Sequence, residues 1–154
     1  MNILTYASPV GIRPQRVWCI SVYRKTLSHS NFMQQRSGVL QVLSEEHAPL
    51  THLLGGQSGR EVDKAEGCRD LGFGWHREGF VEESLLPGCL AYLRLNLLEV
   101  VSAGDHDVAV CSVEKILVPT DAAALSNARP MQSAFLREKG LISNKGQAVP
   151  PDTN

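Results

Sequence analysis

The distribution of hydrophobic and polar positions in the first third of the chain predicts short strands and helices. Residues 16–23 are dense in β-branched and aromatic side chains without strict alternation, which predicts a strand buried on both faces. Residues 26–33 carry hydroxyls where a helix start needs N-cap acceptors, and residues 38–43 return to β character. Ser44 is a suitable N-cap for a second helix, which begins with two glutamates and ends at Gly55.

Two long apolar segments dominate the second half of the chain. Residues 90–101 are rich in leucine and valine and predict a long strand, as do residues 106–118. Ala103, Gly104 and Asp105 suit a tight turn between them, so the two strands predict a hairpin. Strands around one core with helices at the ends predict a mainly β fold, a small β-barrel with peripheral helices.

The composition changes after the second long strand. Residues 121–126 predict a linker, and residues 131–139 predict a short amphipathic helix. From about Ser143 the tail is polar and rich in proline, and we expect it to fray. We therefore assign residues 1–118 to the barrel domain and residues 119–154 to a C-terminal helix and flexible tail.

Composition and charge narrow the function classes. A chain of 154 residues can bury a core without disulfides, and its four cysteines form no Cys-x-x-Cys pair, as is typical of reduced thiols inside cells. The 15 basic and 16 acidic residues are scattered and give a net charge of -1, which argues against nucleic acid as a partner. No apolar stretch approaches the roughly 20 residues that span a bilayer, and no leader pattern follows Met1. We expect a soluble intracellular protein that binds no membrane.

Other chemistries lack the residue spacing that they need. His47 and His52 would lie about 140° apart around a helix, so they would not converge on a metal ion. The Cys and His residues show no zinc-binding spacing, and the sequence contains neither a G-x-S-x-G elbow nor a P-loop. The sequence therefore predicts no metal site, serine hydrolase or P-loop enzyme.

A glycine-rich loop at residues 55–64 has the composition of an anion-binding loop. Its glycines let backbone N–H groups approach a ligand closely, and Lys64 at its end supplies a positive charge. The simpler alternative is that Asp63 and Lys64 form a solvated surface pair of little energetic weight. The short element Gly104-Asp105-His106 follows some forty residues later and lies in the predicted hairpin turn.

Five segments in order resemble the flavin reductase-like, FMN-binding split-barrel family. The family carries an N-x-M-T-x-S strand ending in P-V, an S/T-x-T turn, a V-N-V-L-S strand and a G-G-x-S-G-x-x-x-D-K element. A G-D-H hairpin after an L-x-G-x-x-A-x-L strand completes the set. The segments that match in this chain are residues 2–10, 20–28, 40–44, 55–64 and 86–106. The resemblance covers residues 2–118.

The resemblance implies a split β-barrel that binds FMN. Hydroxyls and backbone N–H groups at the start of the first helix would surround the phosphate, with Arg24, Lys25 and Lys64 as candidate cations. The N-terminal segment would contact the flavin ring and the ribityl chain. The implied cofactor-binding residues are Thr5, Tyr6, Ala7, Ser8, Arg24, Lys25, Thr26, Leu27, Ser28 and Lys64. His106 is the implied catalytic residue, near the place where nicotinamide stacks on the flavin.

The implied activity is hydride transfer from NAD(P)H to flavin, and barrels of this family pair as homodimers. One alternative is an FMN-binding or electron-carrying module without NAD(P)H turnover, and another is a degenerate split barrel that serves as an interaction protein. Local sequence also leaves simpler roles open. Thr26 and Ser28 would serve equally as plain helix caps, and His106 as an ordinary turn residue.

The chain departs from the family pattern in three places. It begins at the N-x-M-T-x-S segment, which leaves two expectations open. Either the barrel is short by one strand, with an exposed edge that another chain covers, or the sequence is a truncated or alternative form. Ala7 replaces the second serine of the early motif, which removes a hydroxyl that would contact the ring. Cys111 replaces a glycine after the G-D-H element. These departures bear on FMN affinity more than on the fold.

Overall fold

The computed structural model describes residues 1–76, 85–119 and 128–151. Five strands lie in these ranges: β1 (Ala7–Gly11), β2 (Val17–Tyr23), β3 (Ser37–Val42), β4 (Ala91–Ala103) and β5 (His106–Leu117). The helices are α1 (Leu27–Gln35), α2 (Lys64–Asp70) and α3 (Ser133–Glu138), with a 3₁₀ helix at Glu45–Leu50 and a π-helical turn at His52–Gly56. Among the described helices, none has the length and apolar character needed to cross a bilayer.

The strands form one antiparallel sheet in the order β1-β2-β5-β4-β3. Strand β2 pairs with β1, where Ala7 lies opposite Ile20, and with β5, where Tyr23 lies opposite His106. The predicted hairpin of two long strands is confirmed as β4 and β5, with Gly104 in the turn at a φ of 62° that favours glycine. The predicted mainly β fold of the split-barrel type is confirmed.

Edge strand β1 begins five residues later than the matched segment that starts at Asn2. The Asn2 side chain accepts a hydrogen bond from the backbone N–H of Ile3 at 3.0 Å, a local bond of the kind that competes with strand pairing. The register shifts between Pro9 and Gly11. Because proline has no N–H to donate, an edge strand is the position in a sheet that tolerates it.

Two compact units make up the chain, and the first holds Met1–Leu40 and Leu93–Ile116. Its core comes from the middle of three strands, where buried and less buried positions alternate. The buried apolar residues here are Ile20, Val22, Leu93, Leu95, Leu97, Ala109 and Cys111. The prediction that β2 is buried on both faces is wrong, because only one face of this antiparallel strand packs on the core.

The second unit holds the described residues of Gln41–Tyr92 and Leu117–Asn154. The helix predicted after Ser44 is split into the 3₁₀ helix and the π-helical turn. Pro49 lies inside the 3₁₀ helix and cannot donate a backbone hydrogen bond, so a continuous α-helical ladder is interrupted in this segment. Buried apolar side chains of this unit include Leu50, Leu54, Cys68, Leu85, Leu86, Cys89, Leu136 and Ile142.

A buried polar cluster lies inside the second unit. His47 is fully buried, and its Nδ1 accepts a hydrogen bond from the backbone N–H of Ser44 at 3.2 Å. The other ring nitrogen, Nε2, donates to the carbonyl of Pro87 at 2.9 Å. The backbone of Leu86 is held on both sides, because its N–H donates to Oε1 of Gln41 and its carbonyl accepts from the hydroxyl of Tyr92. We call these residues the His47 cluster.

The C-terminal part follows the prediction in its helix. α3 lies within the predicted range of 131–139. Residues 121–126, for which the sequence predicts a linker, lie outside the described residues. In the tail, Ile142 pairs with Ala148, and the N–H of Val149 donates to the carbonyl of Leu141 at 2.9 Å. These bonds form a short hairpin in the segment predicted to fray.

Candidate functional site

The turn from β2 into α1 places several hydrogen-bond donors together. Thr26 is the N-cap of α1, as its position in the sequence predicts. Its hydroxyl donates to the carbonyl of Tyr23 at 2.8 Å and accepts from the N–H of His29 at 3.1 Å, so this hydroxyl is fully used within the turn. Within the described part of the chain, the backbone N–H groups of Leu27 and Ser28 and the Ser28 hydroxyl have no partner.

One carboxylate joins this turn to the start of β5. Oδ1 of Asp107 lies 2.8 Å from Nε of Arg24, and Oδ2 lies 2.8 Å from Nε2 of His29. The hydrogen bonds from His29 and then from Arg24 lower the pKa of Asp107 below its ordinary value. The carboxylate is therefore ionised near neutral pH and accepts both bonds. We call these three residues the Asp107 cluster.

The Arg24 guanidinium is only partly used by this cluster. Its bond to Asp107 involves Nε alone, and its two terminal nitrogens make no hydrogen bond to the described residues. The Arg24 side chain is 38% exposed, whereas His29 and Asp107 are 17% and 13% exposed. Arg24 is thus the member of the cluster that a ligand in solution can reach most easily. Its terminal nitrogens can donate hydrogen bonds to that ligand.

His106 lies beside the same turn, at the first position of β5. It is opposite Tyr23 in the strand register, and the two rings lie 5.2 Å apart between centroids. Its Nδ1 is 2.7 Å from Oδ1 of Asp105, and this hydrogen bond is the main cause of the lowered pKa of Asp105. The His106 side chain is about one third exposed, so solvent and ligands can reach it.

The predicted ring-contacting segment lies along the neighbouring edge strand. Residues 5–8 are exposed, and the N–H of Ser21 donates to the carbonyl of Tyr6 at 3.0 Å. The Ser8 hydroxyl donates weakly to the adjacent carbonyl of Pro9 at 3.3 Å. Ser21 precedes the β2–α1 turn by only a few residues, so this segment belongs to the same unit as Arg24, Lys25, Leu27 and His106.

Lys64 is the one predicted site residue of the second unit, and its surroundings differ from the expectation. It is 7% exposed, and its Nζ donates to the carbonyl of Leu54 at 2.7 Å. Burial lowers the pKa of Lys64. Asp63 instead caps α2, accepting from the N–H groups of Ala65 and Glu66 at 2.9 and 3.1 Å. The alternative of a solvated Asp63–Lys64 surface pair is therefore wrong, and the phosphate role of Lys64 stays a prediction.

Sequence reasoning missed three residues of this site, namely His29, Asp107 and Tyr23. His29 lies 78 residues from Asp107 and Arg24 lies 83 residues from it, so no local pattern connects them. A weak signal was present, because Asp107 directly follows the G-D-H element and His29 directly follows the S/T-x-T turn. The two matched motifs thus lie beside each other where β2 ends and β5 begins.

A comparison with protein families identifies the family of this chain. The model of the flavin reductase like domain matches residues 3–133, which is most of the chain. The chain belongs to the flavin reductase-like domain family. The resemblance read from the five segments is thereby confirmed. Among curated proteins, the high molecular weight rubredoxin of Moorella thermoacetica is 31% identical over 121 residues. The match covers 77% of this chain and 48% of the relative, so the chain spans about half the length of that protein.

Solved structures show the same fold. The FMN-binding protein of Thermus thermophilus with bound 1-cyclohex-2-enone has a TM-score of 0.64 at 25% identity, covering 96% of this chain and 67% of that one. The same protein with p-hydroxybenzaldehyde gives a TM-score of 0.65 at 26% identity, covering 80% and 65%. The NADH:FAD oxidoreductase SgcE6 of Streptomyces globisporus gives 0.64 at 15% identity, covering 81% and 68%, and supports the fold alone.

Proposed function

We propose that this chain is an FMN-binding oxidoreductase of the flavin reductase type that transfers hydride from NAD(P)H to flavin. Family membership and the similarity to an FMN-binding protein support flavin as the cofactor class. The observation that carries the proposal is the β2–α1 turn, where donors without acceptors lie beside a partly exposed arginine. Such a set of donors suits a phosphate dianion.

The residues of the turn fit the phosphate end of FMN in distinct roles. The N–H groups of Leu27 and Ser28, together with the Ser28 hydroxyl, would donate to phosphate oxygens. Arg24 would add its terminal nitrogens, with Lys25 as a second cation. The Thr26 hydroxyl is already used twice, so its role is to hold the turn in shape rather than to bind the phosphate directly.

The ring end of the cofactor would lie along the exposed segment at residues 5–8. Bound FMN would supply the hydride-accepting chemistry, and no side chain of the protein needs to act as a nucleophile. His106 would help to orient the nicotinamide, because its ring is fixed between Tyr23 and Asp105 and remains partly exposed. Its bond to an ionised Asp105 places the proton on Nδ1.

The visible spectrum of the purified protein tests the cofactor, followed by titration with FMN and by NADH and NADPH oxidation in the presence of flavin. We expect a flavin spectrum or saturable FMN binding, together with nicotinamide oxidation. Replacing His106 with Gln should reduce turnover and leave FMN binding largely intact. Unchanged turnover in that variant would remove His106 from the mechanism, and a protein that binds no FMN would overturn the proposal.

A homodimer is part of the proposal. Three large apolar side chains are strongly exposed on and beside edge strand β1, namely Tyr6, Val10 and Ile12. Burying them against a second copy would remove apolar surface from water and cover the edge of β1 that pairs with no other described strand. Light scattering tests this point, since a monomeric mass would contradict it.

A second candidate is an FMN-binding electron-transfer module without NAD(P)H turnover. One observation favours it: the curated relative carries the name rubredoxin rather than reductase. This candidate predicts a yellow protein that does not oxidise NADH or NADPH but whose bound flavin can be reduced chemically and reoxidised. A colourless protein that ignores added FMN would instead favour the degenerate barrel.

A further inference from the structure

We infer that Asp107 is a positioning residue of the flavin site: its carboxylate holds the Arg24 guanidinium so that both terminal nitrogens stay available for the phosphate of FMN. The inference rests on the proposed function, because Arg24 serves there as a ligand of that phosphate. Asp107 directly follows the G-D-H element and belongs to none of the matched motifs. Its effect would be a preference for FMN over riboflavin, which lacks the phosphate.

Arg24 is held at two points by the start of β5. Its backbone N–H donates to the carbonyl of Asp105 at 3.2 Å, and its side-chain Nε donates to Oδ1 of Asp107 at 2.8 Å. The bond at Nε fixes the direction of the planar guanidinium group, whose terminal nitrogens make no hydrogen bond to the described residues. An arginine held in this way loses less conformational freedom on binding an anion than a freely rotating one.

The Asp107 carboxylate is itself fixed in place. Asp107 lies opposite Val22, one of the buried core residues, and opposite residues of an antiparallel pair have their side chains on the same face. The Asp107 side chain is accordingly only 13% exposed. Its Oδ2 accepts from Nε2 of His29 at 2.8 Å, and the Ser102 hydroxyl adds a longer bond of 3.4 Å to Oδ1. Both oxygens are therefore held while the carboxylate orients Arg24.

Positioning and charge make opposite predictions for the loss of Asp107. The carboxylate is negative, so by charge alone its removal would strengthen the binding of an anionic phosphate. Loss of the bond at Nε would instead release the guanidinium and weaken FMN binding. The Arg24 side chain is 38% exposed, so solvent screens the charge effect but does not reduce the cost of ordering a released side chain. We therefore expect the loss of positioning to be the larger effect.

Isothermal titration of the full chain with FMN and with riboflavin tests this sign. The titrations are done at about pH 7.5, where the second ionisation of a phosphate monoester is nearly complete. Asp107→Ala should weaken FMN binding about fivefold and leave riboflavin binding unchanged, because only the phosphate contacts Arg24. Equal weakening of both ligands would mean a general structural defect and would contradict the inference.

The matched control is an arginine–carboxylate bond farther along the same strand. Oε2 of Glu114 in β5 lies 3.3 Å from Nε of Arg94. Glu114→Ala removes this bond and a carboxylate of the same charge, about seven residues or roughly 23 Å along the strand from Asp107. Both dissociation constants should stay at their wild-type values in this variant.

Arg24→Lys tests the inference without changing the carboxylate. Arginine bonds Asp107 through Nε and keeps separate nitrogens for a ligand, whereas the compact ammonium group of a lysine has its whole charge drawn to the carboxylate. Arg24→Lys should therefore lose most of the preference for FMN although the charge is kept. Adding Asp107→Ala to Arg24→Lys should restore part of that preference, since the carboxylate no longer competes with the phosphate for the ammonium group.

The outcomes distinguish this inference from the proposed function. If the wild type prefers FMN and Asp107→Ala keeps or increases that preference, or if Arg24→Lys keeps it, the inference fails and the proposed function stands. If the wild type binds neither flavin, both fail. A selective loss of FMN affinity in Asp107→Ala, with partial recovery in the double variant, supports the inference. Should Asp107→Ala fail to fold, the preference of Arg24→Lys decides alone.

Discussion

The His47 cluster and the Asp107 cluster each contain a histidine, but they differ in burial and in charge. His47 is fully buried, and both of its ring nitrogens are bonded to uncharged groups of the backbone. His29 is partly exposed and shares the Asp107 carboxylate with Arg24. The terminal nitrogens of Arg24 make no hydrogen bond to the described residues. A closed and neutral cluster can only stabilise its surroundings, whereas an open and charged cluster can exchange partners with a ligand.

The contrast also explains why a buried cysteine next to a histidine is not a reactive pair here. Sγ of Cys89 lies 3.8 Å from Nε2 of His47, and a cysteine this close to a histidine is reactive in other proteins when the thiol is ionised. Burial raises the pKa of Cys89 to about 12, so the thiol keeps its proton at neutral pH. Proximity of two reactive side chains is therefore insufficient without the solvent and charge that would ionise them.

The largest expected effect comes from opening the closed cluster. Replacing His47 with Ala leaves the carbonyl of Pro87 and the N–H of Ser44 without partners and creates a cavity, so unfolding free energy should fall by about 3 kcal/mol. Urea denaturation measures this loss. The comparison variant is His29→Ala. Its partner Asp107 keeps the bond to Arg24, so the loss should be about 1 kcal/mol or less. Equal losses in both variants would erase the proposed distinction.

The open cluster is tested next through ligand affinity. Arg24→Gln removes the charge and the free terminal donors, so FMN should bind about tenfold more weakly while riboflavin affinity stays the same. Arg36→Gln at the other end of α1 is the matched control and should leave both affinities unchanged. Isothermal titration measures them. A parallel loss of riboflavin binding would indicate a general structural defect instead of a phosphate contact.

The ionised Asp107 carboxylate should have a smaller effect, on the melting temperature at acidic pH. Its pKa is lowered in the folded protein, so its stabilising contribution is present above the unfolded value of about 4 and is lost as pH falls through the lowered value. Asp107→Asn should therefore flatten the melting temperature between about pH 5 and pH 3. Added salt should weaken the same dependence in the wild type. If the melting temperature of the variant falls between about pH 5 and pH 3 as it does in the wild type, the bonds of Asp107 to Arg24 and His29 contribute nothing to stability.

The smallest expected effect concerns Cys89, which should not react with an alkylating reagent in the folded protein. Because burial raises the pKa of Cys89 to about 12, iodoacetamide at about pH 8 should not alkylate Cys89 in the native protein. Alkylation should follow when urea exposes the thiol. Mass spectrometry of peptides checks the result, and native labelling of Cys89 as fast as in urea would place a thiolate where we find none.

Much of the local structure could be predicted because its causes are close together in the sequence. Thr26 caps α1 through a bond to a residue three positions away, and Asp63 caps α2 in the same manner. The β4–β5 hairpin follows from two apolar runs joined by a turn at Gly104. The order of the motifs gave the family resemblance, and the family match confirms the family.

Other features could not be predicted because their causes are distant. The residues next to Lys64 in the sequence suggest a surface position. In the fold Lys64 is buried, and its Nζ donates to the carbonyl of Leu54, ten residues earlier. The predicted helix at 45–55 is divided after Leu50, and the hydrophobic pattern does not reveal this division. His29 was read only as part of a helix, since its carboxylate partner comes from another strand.

The sequence by itself determined most of the strands, the caps, the hairpin of β4 and β5 and the family, because each depends on residues within a few positions or on the order of motifs. Only the tertiary structure decided which charges meet. Pairing of β2 with β5 brings Asp107 to Arg24 and His29 across about eighty residues of chain, and burial decides that His47 stabilises while the Asp107 cluster stays open. Electrostatic and burial energies depend on distance in space, which local sequence does not specify.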